Sequence, residues 1–317
     1  MSLKHIRVIL VVGILLIGLI LPEAAAAATA VRVLSPSIFS VVPFYWIKEN
    51  NILPEVQLDI QLSPDHQRSL ALMNTGQGEF WLTGLNVGAK GYVKGVDVRL
   101  VNVNAWCLDY VVTNFSGVST WRQLLDKRIA LPLQGGPLDF LVRYMIEKEN
   151  LPLERFQFVY APTPQAVQFL NLGQIDAAVL PEPAVSQLLA ASPKAHLAID
   201  IQEEWAKWHA GNRHIPYVGL FVHGKWAENH RETALAVAKA YAEGVAWMAA
   251  HPEEAIALTA RVLDLPPAVA ATALARAKLE VFDKDYTQAV VHEHLQEMQE
   301  FNAELTGGAL PDAAFYW

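Results

Sequence analysis

"LMNTGQGEFWLTG", residues 72–84, is answered later in the chain by "FLNLGQIDAAVLP", residues 169–181. Gly76 and Gln77 align with Gly173 and Gln174, and Glu79 aligns with Asp176. Each stretch reads as a helix end, a glycine C-cap, a turn and a short buried strand that feeds a new helix. Two ordinary strand–helix units can match this far by chance. The other reading is two lobes built alike, each offering a strand end and a helix N-terminus to a shared cleft. Open α/β sheets bind ligands at such places.

The flanking sequence keeps the same rhythm. "VRVLS", "EVQLDIQL" and "VDVRLVNVNA" read as strands, with "FYWIKENN" and "NVGAKGYVKG" as helices among them. The second half repeats it: "KRIALPL" and "FQFVYAP" are strands, and "DFLVRYMIEKEN" and "PQAVQFLNLG" are helices. Strands alternating with helices of this length predict an α/β protein with parallel sheets. From about Gly224 the pattern becomes alanine-rich helix to about Thr306, with helix starts at "HPEE" and "LPP". "DYVVTN" (residues 109–114) and "PYVGLFVHG" (residues 216–224) read as crossovers between lobes. The expected organisation is a signal segment over 1–30, a first lobe from 31–110 and 217–317, and a second lobe over 111–216. Two crossings make a hinge that can close on a ligand.

The first thirty residues stand apart. Lys4, His5 and Arg7 precede the uncharged run Val8–Leu21, and Pro22 and an alanine tract follow. This is the charge and length pattern of a cleaved secretory signal, with an apolar core of about fourteen residues. A bilayer span needs about twenty. Cleavage is expected after Ala28 or Ala30, and export to the periplasm follows. The chain has a single cysteine, Cys107, so no internal disulfide can form and a packed core must supply stability. A formal charge of −8 argues against nucleic acid and anionic membrane partners. His292 and His294 lie two apart on a helix and so face different sides. His209 and His214 fit no zinc spacing either. Exposed, scattered histidines and no metal are expected.

"LPLQGGPLDFLVRYMIEKEN", residues 131–150, is a strand end, a glycine turn and a helix with Pro137 in its first turn. Free N–H groups at such a helix start can hold an anion. The lysine and hydroxyl of a phosphate loop do not follow Gly136, and no dinucleotide fingerprint is present. Asp139 either supplements the cap or opposes an anion there. Candidate ligand-binding residues are Gln134, Gly135 and Gly136 here, and Ser37, Phe39 and Ser40 in "SPSIFSVVPF". Thr83, Gly84 and Asn86 in "LTGLN" join them, either as helix caps or as ligand contacts. Glu182 in "LPEPAV" is either a solvated turn carboxylate or an acceptor for an amine or ring N–H. Trp106 and Tyr217, at the two crossings, are the stacking candidates. Trp46 and Trp81 read as core.

In order, "PFYWIKENNIL", "ALMNTGQGEFWLTGLNVGAKGYVKGVDVRLV", "DKRIALPLQGGPLDFLVRYMIEKENL" and "FLNLGQIDAAVLPEPAV" resemble the periplasmic substrate-binding proteins of ABC importers. The group is the one that handles nitrate, taurine, aliphatic sulfonates and thiamine-precursor pyrimidines. The resemblance covers roughly residues 31–221. It implies a type II periplasmic-binding-protein fold, two α/β lobes joined by two crossover strands. It also implies a monomeric, non-enzymatic receptor that captures a small molecule and delivers it to an ABC permease and ATPase complex, without a cofactor. "QGGP" departs from the group's commoner glycine–hydroxyl turn, which counts against a sulfonate or nitrate ligand. An aromatic or heterocyclic metabolite ranks above a sulfonate-type anion. A periplasmic sensor subunit, which presents its ligand to a membrane signalling protein, is the alternative. The related pyrimidine-synthase-like enzymes carry a cysteine-rich motif that this chain lacks.

Overall fold

The computed structural model describes residues 28–63 and 71–317, apart from the Cys107 side chain. The expected signal segment falls outside the described residues up to position 27. The first sheet has the order β11-β4-β10-β3-β1-β2. Its strands are β1 (Thr29–Pro36), β2 (Val56–Ser63), β3 (Phe80–Gly84), β4 (Val98–Cys107), β10 (Val218–His223) and β11 (Lys278–Leu279). The second sheet has the order β7-β6-β8-β5-β9. It comprises β5 (Asp109–Thr113), β6 (Arg128–Leu131), β7 (Gln157–Tyr160), β8 (Ala177–Pro181) and β9 (His196–Asp200). The helices are α1 (Val42–Glu49), α2 (Leu85–Val93), α3 (Pro137–Lys148), α4 (Thr163–Asn171), α5 (Ala184–Ala191) and α6 (Ile201–Trp208). Then come α7 (Gly224–Asn229), α8 (Arg231–Ala250), α9 (Pro252–Val262), α10 (Pro267–Arg276) and α11 (Lys284–Phe301). This is the two-lobed α/β arrangement that the alternating pattern predicts. Proline falls in the first turn of α1, α3, α4, α9 and α10, where the missing N–H has no intrahelical partner to lose.

Within each sheet β1–β3 and β6–β8 run parallel, and, besides the two-residue edge strand β11, one strand runs against them. That strand is β10 in the first sheet, between β3 and β4, and β5 in the second, between β8 and β9. Both follow directly on a crossing. The chain passes from the first sheet to the second at Leu108 and returns through residues 209–217. β3 and β5 are buried along their whole length, as central strands covered on both faces must be.

The echo of the two stretches has a structural cause. Gly76 and Gly173 adopt left-handed backbone, φ +68° and +69°, which a residue without Cβ enters at no steric cost. Two residues past each following glutamine, an acidic side chain secures the neighbouring strand. Glu79 accepts from the Arg32 N–H at 2.6 Å and donates its own N–H to the Arg32 carbonyl at 3.0 Å. Asp176 does the same with Arg128, at 2.8 Å in both directions. The same closure therefore holds β1 at its fourth residue in one lobe and β6 at its first in the other.

The C-terminal helices were expected to complete the first lobe. They also bind the second. α11 lies against α3 and α6: the His294 ring meets Trp205 at 5.3 Å and Phe140 at 5.6 Å. His209 Nε2 reaches Glu297 at 2.9 Å, and the Tyr144 hydroxyl donates to the same carboxylate at 3.3 Å. The expectation of exposed histidines is thereby corrected. His294 is 4% exposed because its face of the amphipathic α11 packs on α3 and α6, while His292, on the other face, is exposed as expected.

Two outcomes test this packing. Burial, with a smaller push from His209, holds the His294 imidazole down to about 3. The unfolded chain takes up that proton near pH 6.5 and the folded chain does not, so stability falls as pH drops from about 6.5 toward about 3. His294→Leu should flatten the pH dependence of the urea midpoint in that window. A Cβ at Gly88 of α2 would come within 2.1 Å of the buried Phe221 ring. Gly88→Ala should therefore lower unfolding free energy by roughly 1–3 kcal/mol in denaturant titration.

Candidate functional site

Two turns face each other across the lobes. The first joins β3 to α2, and the second joins β6 to α3. Gly84 ends β3, and a Cβ there would stand 3.1 Å from Cγ of Pro137 in the opposing turn. The Asn86 amide nitrogen reaches the Gly135 carbonyl at 3.4 Å. Glycine at position 84 permits this approach, and glycine at 135 permits the left-handed turn, φ +69°. Thr83 and Asn86, expected either to cap α2 or to meet a ligand, are buried, and no side chain caps that helix. The Thr83 hydroxyl and the Asn86 amide oxygen have no hydrogen-bond partner.

The second turn answers whether its helix start cradles an anion. Asp139 Oδ2 accepts the Gly135 N–H at 2.8 Å. Its other oxygen takes Arg143 Nε at 2.7 Å and the Tyr160 hydroxyl at 2.8 Å. The protein's own carboxylate thus takes the turn N–H of Gly135 that an external anion would use. Gln134 is exposed, and Gly136 closes the turn by donating to the Leu133 carbonyl at 3.1 Å.

Glu182 is not a solvated turn carboxylate. It is 2% exposed and accepts from the Ser186 N–H at 3.0 Å and the Ser186 hydroxyl at 2.9 Å, capping α5. Arg276, the last residue of α10, reaches Glu182 at 3.2 Å and Ser186 Oγ at 3.0 Å. This ion pair ties the helix after β8 to a helix from the opposite half of the sequence.

Asp109 opens the second sheet beside Glu182, whose N–H holds the Leu108 carbonyl at 2.8 Å. It is 1% exposed, and its Oδ1 has no partner. Burial, and then the Glu182 and Asp200 charges, push its carboxyl well above the ordinary range. Gln202 fixes the backbone of this crossing: its Oε1 accepts from Leu108 and Asp109, and its Nε2 donates to the Asp109 carbonyl at 3.1 Å. Tyr217, on the return, donates its N–H to Ala105 and accepts from Leu85. Burial, then Asp109, raises its phenol well above its usual value.

The stacking role expected of Trp106 is corrected. The ring is fully buried, its N–H donates to the Glu280 carbonyl at 2.8 Å, and Phe282 covers it edge-on at 5.0 Å. Phe39 is likewise core, among the residues packed round Tyr241, and is no pocket wall. The Ser40 carbonyl receives the Tyr241 hydroxyl at 2.8 Å, while Ser37 is exposed in the bend after β1. Two surface hollows, of about 290 and 310 Å³, lie behind the first sheet and beside α11. Neither is lined by the facing turns. Among the described residues no group of three or more His, Cys, Asp and Glu is placed to hold a metal.

Sequence reasoning missed Asp109, Gln202 and Arg276. The signal for Asp109 was available: a lone carboxylate heading an apolar strand at a crossing. Arg276 ends an alanine-rich helix and carries no local signal.

Fold and facing turns together define a two-lobed α/β protein of the binding-protein type. A Parabacteroides distasonis ABC transporter structure superimposes with a TM-score of 0.74, at 19% identity, covering 91% of this chain and 99% of that one. The periplasmic aliphatic sulphonate binding protein SsuA of Escherichia coli gives 0.71 at 17% identity, covering 91% and 96%. The alkanesulfonate-binding protein SsuA from Xanthomonas axonopodis pv. citri, bound to MOPS, gives 0.70 at 18%, covering 92% and 97%. The NMT1-like family profile matches residues 116–278, just over half of the chain, and the protein belongs to that family. None of the curated proteins matches the sequence.

The Glu182–Arg276 pair gives a direct test. Removing one partner of a fully buried pair costs about 3–5 kcal/mol, and the partial exposure of Arg276 lowers that. Arg276→Met should destabilise by on the order of 2 kcal/mol, and adding Glu182→Gln should recover much of the loss. A double-mutant cycle with no coupling would rule out the pair's contribution.

Proposed function

We propose that this protein is an exported solute-binding receptor of an ABC importer. It captures a small molecule between its lobes and presents it to a membrane permease and ATPase complex. The reading is supported by family membership and by the binding-protein fold. The observation that carries it is the opposition of two glycine turns, one from each sheet, beside the double crossing. Such turns meet only when the lobes approach, so a ligand held between them favours the closed form over the open one. Binding without chemistry is what this geometry supports, and the closed outer surface is what a permease would recognise. Export removes the signal segment, cut after Ala28 or Ala30, and the mature chain acts in the periplasm as a monomer.

The test begins with protein purified from periplasmic extract. Small molecules released on denaturation are identified by mass spectrometry and returned to the refolded protein. A stoichiometric complex with a smaller radius of gyration in small-angle scattering is expected. A tightly bound molecule that leaves the scattering curve unchanged would sink the closure mechanism.

A further inference from the structure

Three side-chain oxygens round the double crossing are buried without a hydrogen-bond partner: Thr83 Oγ1, Asn86 Oδ1 and Asp109 Oδ1. Native proteins rarely leave such atoms unpaired, and each one asks for an explanation. An amide oxygen and an ionised carboxylate only accept. A donor satisfies all three, since a hydroxyl and a carboxyl in either form accept as well.

The three belong to one locality. Thr83 precedes Gly84, and the Asn86 amide oxygen folds back to 3.6 Å from where a Gly84 Cβ would stand. The next residue, Leu85, donates its N–H to the Tyr217 carbonyl at 2.9 Å. The Tyr217 phenol in turn lies within the field of Asp109, which adds to the effect of its burial. Asn86 thus follows a residue bonded to the Tyr217 carbonyl, and Asp109 acts on the Tyr217 phenol.

The charged groups facing Asp109 have the same sign as its carboxylate. Glu182 follows β8, and Asp200 caps α6 while sharing the Gln202 amide with the Asp109 backbone. The nearest cations are already engaged. Arg276 holds Glu182, and Arg213 lies 3.2 Å from Glu203 and 3.5 Å from Asp200. Across the seam the Gly135 N–H is taken by Asp139. An incoming anion would meet acceptors and acidic groups.

We propose that this seam recognises a small ligand carrying a protonated nitrogen, an ammonium, amidinium or guanidinium group, with Asp109 as its counter-charge and Asn86 as a second acceptor. The inference rests on the receptor reading above and adds the polarity of the ligand. Before binding, burial and the acidic neighbours disfavour the Asp109 carboxylate. A cation beside Oδ1 favours the carboxylate, so binding draws Asp109 toward its ionised form.

The purified protein is titrated with benzylamine, benzamidine and agmatine, and separately with methanesulfonate and nitrate, all at millimolar concentration. At least one cation should raise the melting temperature by roughly 3–6 °C. Calorimetry in phosphate and Tris buffers should show proton release on binding. Asp109→Asn keeps the shape of the neutral acid, so it should melt at or above the wild type while losing both the thermal shift and the proton release. Cation binding that survives Asp109→Asn overturns the proposal. So does silence of all three cations, and the receptor reading is then decided separately by the molecule released from periplasmic protein. A shift with methanesulfonate or nitrate, unaltered in the variant, overturns the cationic ligand and leaves the receptor intact.

Discussion

The backbone between Trp106 and Asp109 leaves one sheet and enters another inside the protein. Every polar group along it must find a partner there, since a buried backbone group left unpaired costs about 1–3 kcal/mol. No sheet ladder can serve both sides of such a step. The Gln202 side chain, fully buried, fills the gap by accepting two N–H groups and donating to one carbonyl. Asp200 orients that amide and caps the helix that carries it. The crossing is thus held by a side chain from the second lobe. The facing turns inherit their alignment from it, because Tyr217 links the return crossing to both Ala105 and Leu85.

Carboxylates elsewhere act mainly inside the chain. Glu79 holds Arg32 of β1, Asp176 holds the first residue of β6, Asp139 closes the glycine turn before α3, and Glu182 caps α5. Each satisfies backbone N–H groups that a sheet edge or helix start leaves free. The acidic balance of the sequence therefore reflects much internal wiring. It also explains why the glycine turn is a poor anion cradle although its backbone has the right form. Asp109 is the exception, a carboxyl that no backbone group uses.

Periodicity and turn chemistry made the two-lobed α/β plan readable, because strand–helix alternation and glycine C-caps are local signals. The echo was legible as well, down to Glu79 and Asp176, since a closure used twice leaves the same residues at the same spacing. β9, "HLAID", gave no clear sign: its strand is short and only half-buried. The candidate site was read less fully. Thr83, Gly84, Asn86 and Gly135 sit at strand ends and helix starts, and the sequence marks such places. The burial of Trp106 could not be foreseen, for Phe282 and Glu280 cover it from a distant part of the chain. Arg276 was hidden for the same reason, as its partner Glu182 lies in the other lobe's sequence.

The position of β10 has a consequence for the order of assembly. It separates β3 from β4, and these two strands have no direct ladder with one another. Until residues 218–223 are in place, the first sheet consists of the β1–β2–β3 ribbon and a detached β4. The second sheet depends on no strand beyond β9 and can close earlier. Pairings that span so much intervening chain are slow to form and leave strand edges open meanwhile. The lobe that begins the sequence is therefore the last to finish, and its half-built edge is the interval in which the nascent chain is most exposed to mispairing.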